Sequence, residues 1–203
     1  NGTMGNGMMG GMGMYGGMGN WWNSTSADPL SIEEAETAVR DYLATLGQDN
    51  LSLGEVMIFS NHAYAQIVDE NSGTGAFEVL VDPVTGNVFP EPGPNMMWNT
   101  EYGHMGGFGG GMMSGMMGYW RNAPEAENGV TAEEAIQTAQ RYLDANLPGT
   151  TAGETADAFP GYYTLHFLQD GDIIGMLSVN ATTGQVFPHH WHGDFIEMAG
   201  DDH

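Results

Sequence analysis

Two stretches of the chain carry the same hydrophobic rhythm. In "SIEEAETAVRDYLATL", from Ser31, apolar Ile32, Ala35, Val39, Tyr42, Leu43 and Leu46 recur at helical spacing. In "TAEEAIQTAQRYL", from Thr131 and so 100 positions on, Ala135, Ala139, Tyr142 and Leu143 do the same. Each stretch opens on a hydroxyl residue followed three positions later by a glutamate, Glu34 or Glu134, which is the pattern of a capping box. Each predicts a helix that buries one stripe and shows water an acidic face. Glu33 and Glu133 complement the helix dipole at those starts.

Shorter apolar runs follow each helix. Residues 63–68, 76–81, 163–168 and 174–179 read as strands. "VDPVTGNVFP" and "VNATTGQVFP" then match at an offset of 98, because "NSGTG" in the first copy is replaced by "GD" in the second. Gly86 and Gly184 supply the positive φ that such tight turns use. The expected fold class is α+β, with two tandem helix-on-antiparallel-sheet modules produced by an internal duplication. The expected organisation is an arm over 1–27, a first module over 28–99, a linker over 100–122, and a second module over 123–203 that ends in a histidine-rich strap.

The segments "EEAETAVRDYL" with "FEVLVDPVTGNVF", and "EEAIQTAQRYL" with "GMLSVNATTGQVF", resemble the PepSY family. The resemblance covers about two-thirds of the chain, and its "VD–TG–V" hairpin is more specific than its helix. It implies a cystatin-like module, usually exported, that binds or inhibits and does not catalyse. It carries no catalytic residues over to this chain.

Composition changes the picture in the arm and the linker. "NGTMGNGMMGGMGMYGGMGNWW" and "YGHMGGFGGGMMSGMMGYW" hold most of the 16 Met, strung on a share of the 32 Gly. Thioether sulfur is neutral and polarizable, so it suits soft cations such as Cu(I). Glycine lets a backbone fold tightly around an ion. Candidate soft ligands are Met4, Met8, Met9, Met12, Met14 and Met18 in the arm, and His104, Met105, Met112, Met113, Met116 and Met117 in the linker. The competing reading is mechanical, with adaptable methionines packing on a neighbouring subunit. A plain low-complexity linker is the third.

The corners after the hairpins add harder ligands. "VFPEPGPNMMWN" and "VFPHHWHGDF" each set two candidate ligands against a tryptophan, Met96 and Met97 before Trp98 and His189 and His190 before Trp191. The comparison requires a five-residue insertion in the first copy. With His192, three imidazoles fall within four residues, a set suited to Cu(II), Zn or Ni. A hydrogen-bonded polar strap is the plain alternative. His62 and His166, on expected strands, read as hydrogen-bonded or surface histidines.

Charge and cysteine usage exclude several classes. The formal charge is −23 with Arg40, Arg121 and Arg141 as the whole basic complement. Such a surface repels nucleic acid and anionic lipid and attracts cations. The absence of Cys removes disulfides, thiolate metal sites and cysteine nucleophiles. No apolar run is long enough for a membrane span. The start at Asn1 and the sequons at Asn1, Asn23, Asn50 and Asn180 lead to the expectation of an exported protein, extracellular or at the cell surface. "DENSGTG" lacks the final glutamate of a calcium loop and reads as a hairpin connection. No nucleophile or phosphate motif has its required setting, so no enzyme is expected. The leading expectation is a copper-binding protein that self-associates through its arms. The alternatives are a filament or surface-layer subunit and a protease inhibitor.

Overall fold

In the computed structural model, which describes residues 28–103 and 129–200, α1 (Ile32–Leu46) leads into β1 (Leu51–Phe59), β2 (His62–Asp69), β3 (Thr74–Val81), β4 (Val88–Pro90) and the one-turn helix α2 (Pro94–Met97). The second stretch runs α3 (Ala132–Asn146), β5 (Thr150–Ala152), β6 (Asp157–Phe159), β7 (Tyr162–Gln169), β8 (Asp172–Asn180), β9 (Val186–Pro188) and β10 (Phe195–Ala199). The architecture is α+β with antiparallel sheets.

Both capping boxes form. The Ser31 and Thr131 hydroxyls accept from the N–H groups of Glu34 and Glu134, whose carboxylates accept the cap N–H groups in return. Each cap contributes about 1 kcal/mol. Gly47, in the left-handed region at φ 63°, ends α1.

One sheet has the order β10-β1-β2-β3-β4, and the other β5-β7-β8-β9 with β6 also on β7. Alternation along the strands assigns each face. Val56, Ile58, Ala63, Ala65, Ile67, Phe77, Val79 and Val81 pack under Ala35 and Val39 of α1. Leu165, Phe167, Leu177 and Val179 pack under Ala135, Ala139 and Leu143 of α3. The opposite faces meet each other, where Met57, Phe59, Tyr64 and Leu80 of the first sheet gather around Met176 of the second. The layers therefore run helix, sheet, sheet, helix, and the seam between the sheets is buried.

The expected strands lie inside β2, β3, β7 and β8. Gly86 and Gly184 adopt φ of 67° and 68° in the two hairpin turns. Four strands, β1, β5, β6 and β10, were not expected; β5 and β6 span three residues each, too few to carry a pattern. The inner half of β1, "VMIF", is covered on both sides, so its apolar run has no period-two signal. β10, which the sequence groups with the second module, instead extends the first sheet, with Val56 opposite Ala199 and Phe59 opposite Phe195. Its place is set by β1's free backbone edge, which no local pattern records.

Candidate metal centre

The chain leaves β4 and β9 at the same point of the same tripeptide. Glu91 follows "VFP" in the first sheet and His189 follows it in the second. The Glu91 N–H donates to the Glu78 carbonyl at 2.9 Å, and the His189 N–H to the Met176 carbonyl at 3.0 Å. Both corners thus hold their side chains against the seam, from opposite sides. On one side Asn95 of α2 secures the corner, its amide donating to the carbonyls of Glu78 (3.0 Å) and Glu91 (3.1 Å). On the other, residues 189–194 are pinned to the β1–β2 turn. The Gly193 and Asp194 N–H groups donate to Asn61 Oδ1 (2.8 Å) and Ser60 Oγ (3.0 Å), and the Asn61 amide to the Trp191 carbonyl (2.9 Å).

This brings Glu91, His189 and His192 together, with one ligand atom from each lying within 4.8 Å of the others. Glu91 Oε1 is 3.4 Å from His189 Nδ1 and 3.1 Å from His192 Nε2, and all three side chains are buried. Neither nitrogen has a hydrogen-bond partner, nor does Glu91 Oε2. The opposite nitrogens are engaged. His189 Nε2 lies 2.9 Å from Ser178 Oγ, and His192 Nδ1 lies 2.7 Å from His62 Nε2. The Trp191 N–H donates to Glu91 Oε1 at 3.0 Å. Aromatic rings fix both imidazole planes, Trp191 stacked on His189 at 4.7 Å between centroids and Phe59 on His192 at 4.3 Å.

This is how metal-ligating histidines are held, one nitrogen tied from behind and the other directed inward. Donors on a four-coordinate ion with ordinary Zn–N and Zn–O bonds stand about 3.3 Å apart, so both spacings to Glu91 fit one ion. Electrostatics favour a cation. Burial alone acts to raise the Glu91 pKa, but His189 and His192 outweigh it and hold the carboxyl below the usual range. Burial and then His192 pull His62 down to about 3 against the opposing charge of Glu91. Burial also lowers His192, partly offset by Glu91. His62 and His192 are therefore neutral near pH 7.

Behind the centre sits a second buried carboxylate. Glu78 accepts from Tyr64 (2.9 Å) and Thr164 (2.8 Å) at Oε1 and from Tyr162 (2.8 Å) at Oε2. Burial, and then the charge of Glu91, raise its pKa well above the ordinary value despite these bonds.

Of the sequence candidates, His189 and His192 enter the centre. His190, exposed in the turn after β9, does not. Met96 and Met97 lie on α2, with Met97 56% exposed, and the position matching His189 is Glu91 instead. His62, read as a hydrogen-bonded histidine, is one, its partner being His192 of the candidate centre. His166 pairs with Glu55 at 3.1 Å, away from the centre. The amide of Asn50 donates to Asp69, and Asn180 Oδ1 accepts from Thr182 and Thr183 within its turn. Met4, Met8, Met9, Met12, Met14, Met18, His104, Met105, Met112, Met113, Met116, Met117, Asn1 and Asn23 lie outside the described residues. Glu91 does not stand out when the two corners are aligned on their tryptophans. Reading "VFPE" against "VFPH" without a gap would have paired it with His189. No helix among the described residues is long and apolar enough to cross a membrane. No protein-family model, curated protein or solved structure matches the chain.

Proposed function

We propose that the protein is a non-enzymatic, exported copper-binding protein, built on two tandem PepSY-like modules whose seam holds one Cu(II) ion. The observation that carries this is the ligand geometry. Two buried imidazole nitrogens lie 3.4 and 3.1 Å from one buried carboxylate oxygen, and the opposite nitrogen of each ring is held by a hydrogen bond. Two imidazoles and one carboxylate suit Cu(II), Ni or Zn, and among these Cu(II) binds N/O sites most tightly. The methionine tracts in the same chain add soft ligands for the reduced ion, so copper is the metal that both ligand classes share. A non-catalytic role is supported by burial, since the ligand side chains are 0–2% exposed and leave no approach for a substrate.

The PepSY likeness is supported by the repeated order of helix, hairpin and "VFP" strand on each sheet. The centre draws Glu91 from one half and His189 and His192 from the other, so a bound ion fastens the sheets together. An ion at a hundred times its Kd stabilises the native state by about 2.7 kcal/mol. Self-association through the arms rests on segments outside the described residues, and protease inhibition on the family likeness alone.

Metal uptake by the full chain tests this reading. One equivalent of Cu(II) should bind and raise the unfolding midpoint, and Glu91→Ala should remove that equivalent. Under a mild reductant, additional Cu(I) should bind and be lost when Met112, Met113, Met116 and Met117 are replaced by Leu. A chain that takes up Zn(II) but no copper would refute the metal assignment, and one that takes up neither would refute the centre.

A further inference from the structure

The seam contains a chain of hydrogen bonds whose direction can be settled by counting protons. Glu78 Oε1 accepts from Thr164 Oγ1 at 2.8 Å. A hydroxyl has one proton to give, so in its 3.0 Å contact with Ser178 Oγ, Thr164 is the acceptor and Ser178 the donor. The Ser178 proton is then committed, and its oxygen can only accept from His189 Nε2 at 2.9 Å. In the neutral ring Nε2 therefore carries the proton, and Nδ1, 3.4 Å from Glu91 Oε1, is left with a bare lone pair.

We propose that Glu78 is a positioning residue for the metal centre, acting through Thr164 and Ser178 to hold His189 in the tautomer that offers Nδ1 to the ion. The proposal rests on the metal reading for its purpose, though the relay itself can be examined without metal. Thr164 and Ser178 are 1% and 0% exposed and Glu78 is 0% exposed, so water does not compete for these bonds. The direction holds for the ionised carboxylate and for an acid protonated at Oε2. With the proton on Oε2, Tyr162 can turn its hydroxyl to Asn95 Oδ1 at 3.4 Å, and Oε1 still accepts from Tyr64 and Thr164. This assigns a task to a buried acid that touches no ligand side chain. It also gives a reason for the polar pair Thr164 opposite Ser178, which stands beside the apolar Met57, Phe59, Leu80 and Met176.

The test is nitrogen-15 NMR of the histidine rings in the metal-free full chain near neutral pH, followed by Cu(II) titration. In the wild type, His189 should show a protonated Nε2 and an unprotonated Nδ1. Thr164→Val keeps the shape and leaves both tyrosines on Glu78, but frees Ser178 to donate to Nε2. The Nδ1-protonated form should then appear, and Cu(II) affinity should fall about 10- to 100-fold, the range for loss of an outer-shell partner. Thr164→Ser, which restores the hydroxyl, should return both readouts close to wild type. A wild-type ring protonated at Nδ1, or a tautomer unmoved in Thr164→Val, overturns the relay. Since the wild-type spectrum alone can do this, a poorly folding variant does not protect the idea. If the tautomers behave as stated and no Cu(II) binds, the relay stands and the metal reading falls.

Discussion

The two corners that close the hairpins have the same backbone and opposite chemistry. Each follows "VFP", and each N–H bonds the carbonyl of the neighbouring strand, Glu78 in one case and Met176 in the other. Yet one delivers a carboxylate and the other an imidazole. The difference continues down the strands. At matching positions of the seam, His62, Tyr64, Glu78 and Leu80 stand in the first sheet where Tyr162, Thr164, Met176 and Ser178 stand in the second. Two identical corners would face each other with like ligands, and two buried carboxylates would repel. The unlike pair gives one carboxylate and two imidazoles, a set that would part-neutralise a divalent cation. A site of this kind belongs to neither half and exists only where they meet.

Making the corners alike should have the largest effect. His189→Glu sets two carboxylates against each other in the seam and removes a ligand. Metal affinity should fall by more than about 100-fold, beyond the outer-shell range, as read by competition with a chelator of known affinity. Next is Glu78→Met, which copies the matching residue of the second sheet. It leaves the hydroxyls of Tyr64, Tyr162 and Thr164 without their acceptor, at a cost of about 3 kcal/mol in urea denaturation. Adding Tyr64→Phe, Tyr162→Phe and Thr164→Val should recover most of that loss, because no polar group then stays unsatisfied.

Gly86→Ala and Gly184→Ala probe what the halves share. Both glycines have nearly the same positive φ and open surroundings, so each change should cost about 1 kcal/mol. Unequal costs would break the parallel.

The smallest effect concerns His166, whose counterpart in the first sheet is the uncharged Gln66. Burial alone would lower the His166 pKa, but the hydrogen bond and charge of Glu55, with Asp157, leave it raised. A raised folded-state pKa contributes stability that is complete below the unfolded value and lost as pH rises through the folded one. Stability should therefore decline slightly above about pH 6.5, by less than about 1 kcal/mol for a pair at this exposure. His166→Gln, which copies the first sheet, should flatten that decline.

The helices and turns were legible because their signals are local. Ser31 with Glu34, Thr131 with Glu134, and the two turn glycines each lie within a few residues of what they determine. Two of the centre's three candidate ligands were legible too, since His189 and His192 cluster in sequence. Glu91 was not, because it lies about a hundred positions away in a stretch where "EPGPNMM" offers methionines as more conspicuous candidates. Nor was His62 as the support behind His192, or β10 as a strand of the first sheet. Both depend on a chain segment crossing the seam, a tertiary event with no period in the sequence.

The claim on which the rest depends is a single ion held by both halves. Electron paramagnetic resonance of the full chain with one equivalent of Cu(II) tests it directly. The spectrum should report one homogeneous site coupled to two imidazole nitrogens, with one coupling lost in His189→Ala and the other in His192→Ala. A spectrum unchanged in both variants, or a chain that leaves the Cu(II) in solution, would contradict it.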